Sequence, residues 1–148
     1  TQCEKNRRVY TAALILLILF SIAFFYFGTK PNGKKLYQSV FANPISDIGR
    51  LRSGGFSFQG WDVWLTFTSE KDVQLNNVQT FQVLSLAEAQ NKLAESTAKH
   101  CMNFINDIDA ENLEFLYKID ASIDVPNGQF LAHDKINHHY CYQDWYHN

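Results

Sequence analysis

The sequence predicts an α+β protein in which a single N-terminal transmembrane helix precedes a small domain, an antiparallel sheet packed against one main helix. Three observations predict it: an uncharged apolar run over residues 9–27, a Ser85-x-x-Glu88 helix-start signature, and short stretches rich in β-branched and aromatic residues on both sides of that signature. At 148 residues the chain has room for an anchor and one small domain with one core. The boundaries read from it are a short basic cytoplasmic tail at 1–8, the transmembrane helix at 9–28, a juxtamembrane linker at 29–35 and an extracytoplasmic domain at 36–148.

The apolar run rises about 28 Å as a helix, close to the thickness of a hydrocarbon core. Tyr10 at one end and Phe24, Phe25, Tyr26 and Phe27 at the other suit the membrane interface, where Lys30, Lys34 and Lys35 can meet head-group phosphates. A cleaved secretory signal has a shorter apolar region and a small-x-small exit, whereas this run leaves through four aromatic residues, so retention as an anchor is expected. No Asp, Glu, Lys, Arg or His interrupts it, which favours tethering over an ion path. Both flanks are basic. Arg7 and Arg8, placed directly against the run, favour a cytoplasmic N-terminus and an exported domain. The chain has no Asn-x-Ser/Thr sequon, which points to a bacterial inner membrane with the domain facing the periplasm.

The Pro31, Asn32 and Gly33 cluster should break the first helix, and residues 34–42 should form a short amphipathic one stopped at Asn43-Pro44. Ser53, Gly54 and Gly55 read as a turn before two strands, 56–58 and 62–68. In the second strand Val63, Leu65 and Phe67 share the face expected to be core. Residues 78–84 read as another strand. Ser85 then opens the main helix, with Leu86, Leu93, Thr97, Cys101, Phe104 and Ile108 facing inward and Glu88, Lys92, Glu95 and Lys99 outward. Residues 113–123 return to strand character, 125–128 read as a turn, and 129–142 as one or two further strands.

From Leu36 onward seven Lys or Arg face fourteen Asp or Glu, a net charge of −7 with histidine neutral. Such a domain is not expected to bind nucleic acid, which requires basic surface. Cys101 and Cys141 can pair if the domain is exported, leaving Cys3 alone on the other side; the alternative is two buried thiols. The histidines cluster near the C-terminus. His133, His139 and His147 are the candidate metal ligands, yet their spacing matches no established zinc signature and ordinary structural histidines are the competing reading.

No nucleophile elbow, metalloprotease helix or phosphate loop is present, so neither catalysis nor a cofactor is expected. The aromatic residues Trp61, Trp64, Tyr140, Tyr142, Trp145 and Tyr146 serve either as core or as a contact patch; Tyr26, Phe27, Trp145 and Tyr146 are the interface candidates. The function these features suggest is that of a non-catalytic, single-pass accessory or interaction protein. Its partners would be the lipid bilayer and other membrane-protein subunits. A metal-binding or small hydrolytic envelope domain and an envelope ligand-binding or sensor domain are the alternatives.

Overall fold

The computed structural model describes residues 2–29, 31–57, 60–77, 80–96, 99–119 and 127–147. The chain divides into two compact units, residues 1–30 and 31–148. The first is helix α1, Gln2–Thr29, and within it Asn6–Phe25 is long and apolar enough to cross a membrane. The hydroxyls of Thr11 and Ser21 donate to the carbonyls of Arg7 and Leu17 one turn back, at 2.9 and 2.8 Å, so these two polar groups are satisfied inside the helix. The helix takes in the stretch predicted to be a separate tail, because nothing between Gln2 and Arg8 is a helix breaker.

The second unit opens with α2, Gly33–Val40, whose Asn32 side chain accepts the Lys35 backbone N–H as an N-cap. Most of the residues expected to be linker therefore belong to the folded unit. Then follow β1 (Ile48–Ser57), β2 (Gly60–Ser69), β3 (Gln82–Val83), α3 (Leu86–Ala94), α4 (His100–Asn106), β4 (Leu113–Lys118), β5 (Asn127–Asp134) and β6 (His139–His147). The strands form one antiparallel sheet in the order β1-β2-β6-β5-β4-β3, so the C-terminal strand lies near its centre.

Both faces of this sheet are covered, and the single core expected from the sequence is two. On one face Ala89 and Leu93 of α3 and Cys101 and Ile105 of α4 pack on Phe115, Phe130, Ala132, Cys141 and Trp145. On the other, Tyr37 and Phe41 pack on Leu65, Phe67, Leu131, Tyr140 and Tyr142. Edge-to-face rings set this second core: Tyr37 and Phe41 meet Phe67 at centroid distances of 5.1 and 5.2 Å. Burial on both sides explains why residues 129–142 lack clean alternation; buried central strands read as apolar runs.

Three other expectations are corrected. Ser53, Gly54 and Gly55 are not a turn but lie inside β1, where the glycines allow close approach. A Cβ on Gly54 would enter the Trp64 indole, and Gly55, at φ +106°, leaves room for the Asp62 carbonyl of the paired strand. The strand expected over 78–84 reduces to the two residues of β3, with Val78 and Gln79 outside the described residues. Asn127 and Gly128, expected in a turn, begin β5, while Val125 and Pro126 lie outside the described residues.

The main helix expected from Ser85 to Ile108 is also two helices. Its start holds the reciprocal capping box: Ser85 accepts the Glu88 N–H, and the Glu88 carboxylate accepts the Ser85 N–H at 2.8 Å. Its first half ends as the N–H groups of Glu95 and Ser96 reach back only three residues, to Lys92 and Leu93, a tightened last turn. Thr97, counted among the inward-facing positions, lies outside the described residues.

Candidate functional site

A recess lies between the β1 edge and α4. Gly49 pairs with Thr68 and Arg52 with Thr66, so Arg50 and Leu51 together stand opposite the single residue Phe67. This is a β-bulge, and Arg50 sits in it at φ +52°, a backbone conformation uncommon for a residue with a side chain. Both arginines border one cleft of about 280 Å³, whose walls include Thr66, Thr68, His139 and Phe104. Among the described residues neither arginine has an ion-pair partner. Beside it, Trp64 stacks on His100, with centroids 3.5 Å apart and planes 6° from parallel. Burial, and then the nearby Arg52 charge, hold the His100 imidazole below the ordinary histidine pKa.

Deeper on the same face lies a polar cluster. Asp62 is fully buried and accepts the Ser96 hydroxyl at 2.7 Å and the Gln143 amide at 3.1 Å, while Gln143 also contacts Ser96 Oγ. The Gln143 carbonyl in turn accepts the Cys101 backbone N–H at 3.3 Å. His147 Nε2 comes within 3.5 Å of the Asp62 carboxylate but is not aligned for a hydrogen bond. A carboxylate, a hydroxyl and an imidazole are thus gathered, yet Ser96 Oγ points at the carboxylate and not at the imidazole. Ser96 and Asp62 are 2% and 0% exposed. The cluster is built to tie the α3–α4 junction to β2 and β6.

The candidate metal ligands are dispersed. His133 pairs with Tyr140 across the β5–β6 ladder and His139 with Asp134, neighbouring pairs that face opposite sides of the sheet. His133 stacks on Tyr140 at 4.2 Å and lies 3.8 Å from Glu114; burial holds its pKa down against the pull of that carboxylate. His147 sits at the far end of β6, and among the described residues no three His, Cys, Asp or Glu side chains are gathered to hold a metal. Cys141 joins Cys101 in a disulfide, with Cα atoms 5.7 Å apart, and is not a free ligand.

Of the interface candidates, Trp145 is 1% exposed and belongs to the core, where it packs against Tyr117 and Gly128. Tyr146, on the other face, is half-buried and stacks on the exposed Trp61 at 4.7 Å. The Trp61 indole N–H donates to Asp144 at 2.7 Å, and burial raises that carboxyl despite this bond and those from Tyr142 and Gln129. The side chains of Tyr26 and Phe27 lie outside the described ones.

Sequence reasoning missed Arg50, Arg52, Asp62 and Gln143. A signal for the first two exists: they are two of only seven cations in an acidic domain, separated by one residue in a strand. Nothing local marks Asp62, whose partners are 34 and 81 positions away. No protein-family model, no curated protein and no solved structure matches the chain.

Proposed function

We propose that the protein is a non-catalytic, membrane-tethered accessory protein whose folded unit acts by contact with other membrane-protein subunits. One observation carries this reading: the apolar segment Asn6–Phe25, exposed along its length, ends only a few residues before a separately folded unit. Two features support it. Among the described residues, the carboxylate and hydroxyl of Asp62 and Ser96 are buried and hydrogen-bonded to each other. The exposed Trp61, stacked on Tyr146, is the kind of aromatic side chain that anchors protein contacts.

The same reading places the folded unit on the extracytoplasmic side of a bacterial inner membrane. Arg7 and Arg8 precede the apolar segment, and a Cys101–Cys141 disulfide persists only in an oxidising compartment. The test is purification of the tagged full-length chain from native membranes in mild detergent, with mass spectrometry of whatever comigrates. A membrane protein recovered in stoichiometric amount, and lost on Trp61→Ala, is the expected result. A solitary chain overturns the reading.

A further inference from the structure

We propose that the cleft bordered by Arg50, Arg52, Thr66, Thr68, His139 and Phe104 binds a small organic oxyanion, a phosphate or carboxylate carried on an apolar body. The proposal does not depend on the accessory role. It rests on three observations that concern the same place.

The first is charge. Two exposed arginines without ion-pair partners among the described residues border one cleft in a domain of net charge −7. Clustering like charges without a counter-charge is unfavourable, and a bound anion removes that cost. Guanidinium forks match the oxygen spacing of carboxylate and phosphate, and two of them can grip one group from different directions.

The second is backbone. Residues two apart in a strand share a face, which suits Arg50 and Arg52 to one cleft; the bulge sets Arg50 and Leu51 together opposite Phe67, and Arg50 still borders the cleft that Arg52 lines. Within this bulge Arg50 holds φ +52°, a conformation that normally selects Gly, Asn or Asp.

The third is the composition of the walls. Thr66 and Thr68 line the same cleft and carry hydroxyls that can donate to an anion, and His139, paired with Thr68 on the next strand, lines it as well. Phe104 supplies an apolar surface at the same cleft, so an anion bearing a hydrocarbon or aromatic body fits better than a bare ion. The volume of about 280 Å³ suits a small molecule.

A purely protective role for these arginines competes with this, because β1 is an edge strand and charges and bulges on edges discourage pairing with other chains. The two roles separate experimentally. The full-length, isotope-labelled protein in non-ionic detergent is titrated with inorganic phosphate, phenyl phosphate and short-chain phosphatidylglycerol, and backbone amide shifts are followed. Saturable shifts confined to 49–52, 66–68 and 139 are expected, with phenyl phosphate tighter than inorganic phosphate. Arg52→Gln and Arg50→Gln should each weaken binding by about tenfold, the scale of one charge-assisted contact. Phe104→Ala should abolish the advantage of phenyl phosphate, and Arg52→Lys should retain part of the affinity. Tighter binding of phosphatidylglycerol than of phenyl phosphate would identify the anion as a lipid head group, and the reverse order a free solute. The proposal is overturned if no probe gives saturable shifts with a Kd below about 10 mM, weaker than any small-ligand site of use. It is equally overturned if shifts persist unchanged in the double Gln variant, or if that variant only self-associates while the parent protein binds nothing.

Discussion

Asp62 is the residue on which the helical face of the domain depends. Its carboxylate is removed from water, and two side-chain donors, Ser96 and Gln143, are spent on it. Asp62→Ala would take a buried acceptor from both donors, a loss of about 3 kcal/mol, whereas Ser96→Ala should cost about 1 to 2 kcal/mol. Urea unfolding followed by near-ultraviolet circular dichroism checks both. A second residue-scale test is Gly54→Ala, whose methyl would enter the Trp64 ring; forcing the indole off His100 should cost about 2 kcal/mol and change tryptophan fluorescence. Neither residue was legible as important in the sequence. Asp62 stands at the start of an alternating strand and reads as solvated there, and the Ser53-Gly54-Gly55 run carries the usual signature of a turn. Each owes its role to a strand or helix junction brought from elsewhere in the chain, which local pattern cannot register.

Among the elements, α4 is the one held by the most varied means. The disulfide fastens Cys101 to the centre of the sheet, the Cys101 N–H is bonded to Gln143, and His100 lies flat on Trp64. Closing a loop across 40 positions should contribute about 4 kcal/mol on the chain-entropy view, so reduction should lower the urea midpoint without abolishing the sheet. Acidification should loosen the same helix. The folded state holds His100 below its ordinary pKa, so between that depressed value and about 6.5 the unfolded chain binds more protons. Stability is therefore present above that window and lost as pH falls through it. His133 acts in the same direction, and Asp144, raised by burial, acts in the opposite one at its own pKa. His100→Gln isolates the effect: the parent should lose melting temperature as pH falls below about 6.5, and the variant should lose less. The N-terminal signal of α3 was fully legible, since a capping box needs only Ser85 and Glu88 on one turn. The break between α3 and α4 was not, because the apolar positions keep helical spacing across it, and the buried Asp62 that accepts the Ser96 hydroxyl lies 34 positions away.

At the scale of the molecule, an apolar helix is followed by a sheet clothed on both faces. The alternation of Val63, Leu65 and Phe67 identified the inner face of β2, and the α+β class with an antiparallel sheet followed from composition and punctuation. That face of β2 belongs to the second core, whereas α3 and α4 pack on the opposite face of the sheet; the division into two cores was not legible, because Tyr37 and Phe41 of the first segment close over Tyr140 and Tyr142 of the last. The histidine group failed as a site for the related reason that the hairpin between Asp134 and His139 sends His133 and His139 to opposite faces. The apolar segment is the feature from which the tethered role is inferred, and it can be tested alone. Membranes carrying the full-length chain are extracted at alkaline pH and floated on a density gradient, alongside a variant with Leu17→Arg and Leu14→Lys. The intact parent chain is expected to float with lipid, and the charged variant to be released, because each charge in mid-bilayer costs about 3 kcal/mol of insertion. Recovery of the parent chain in the soluble fraction, whole or shortened to the folded unit, would contradict the membrane-tethered reading.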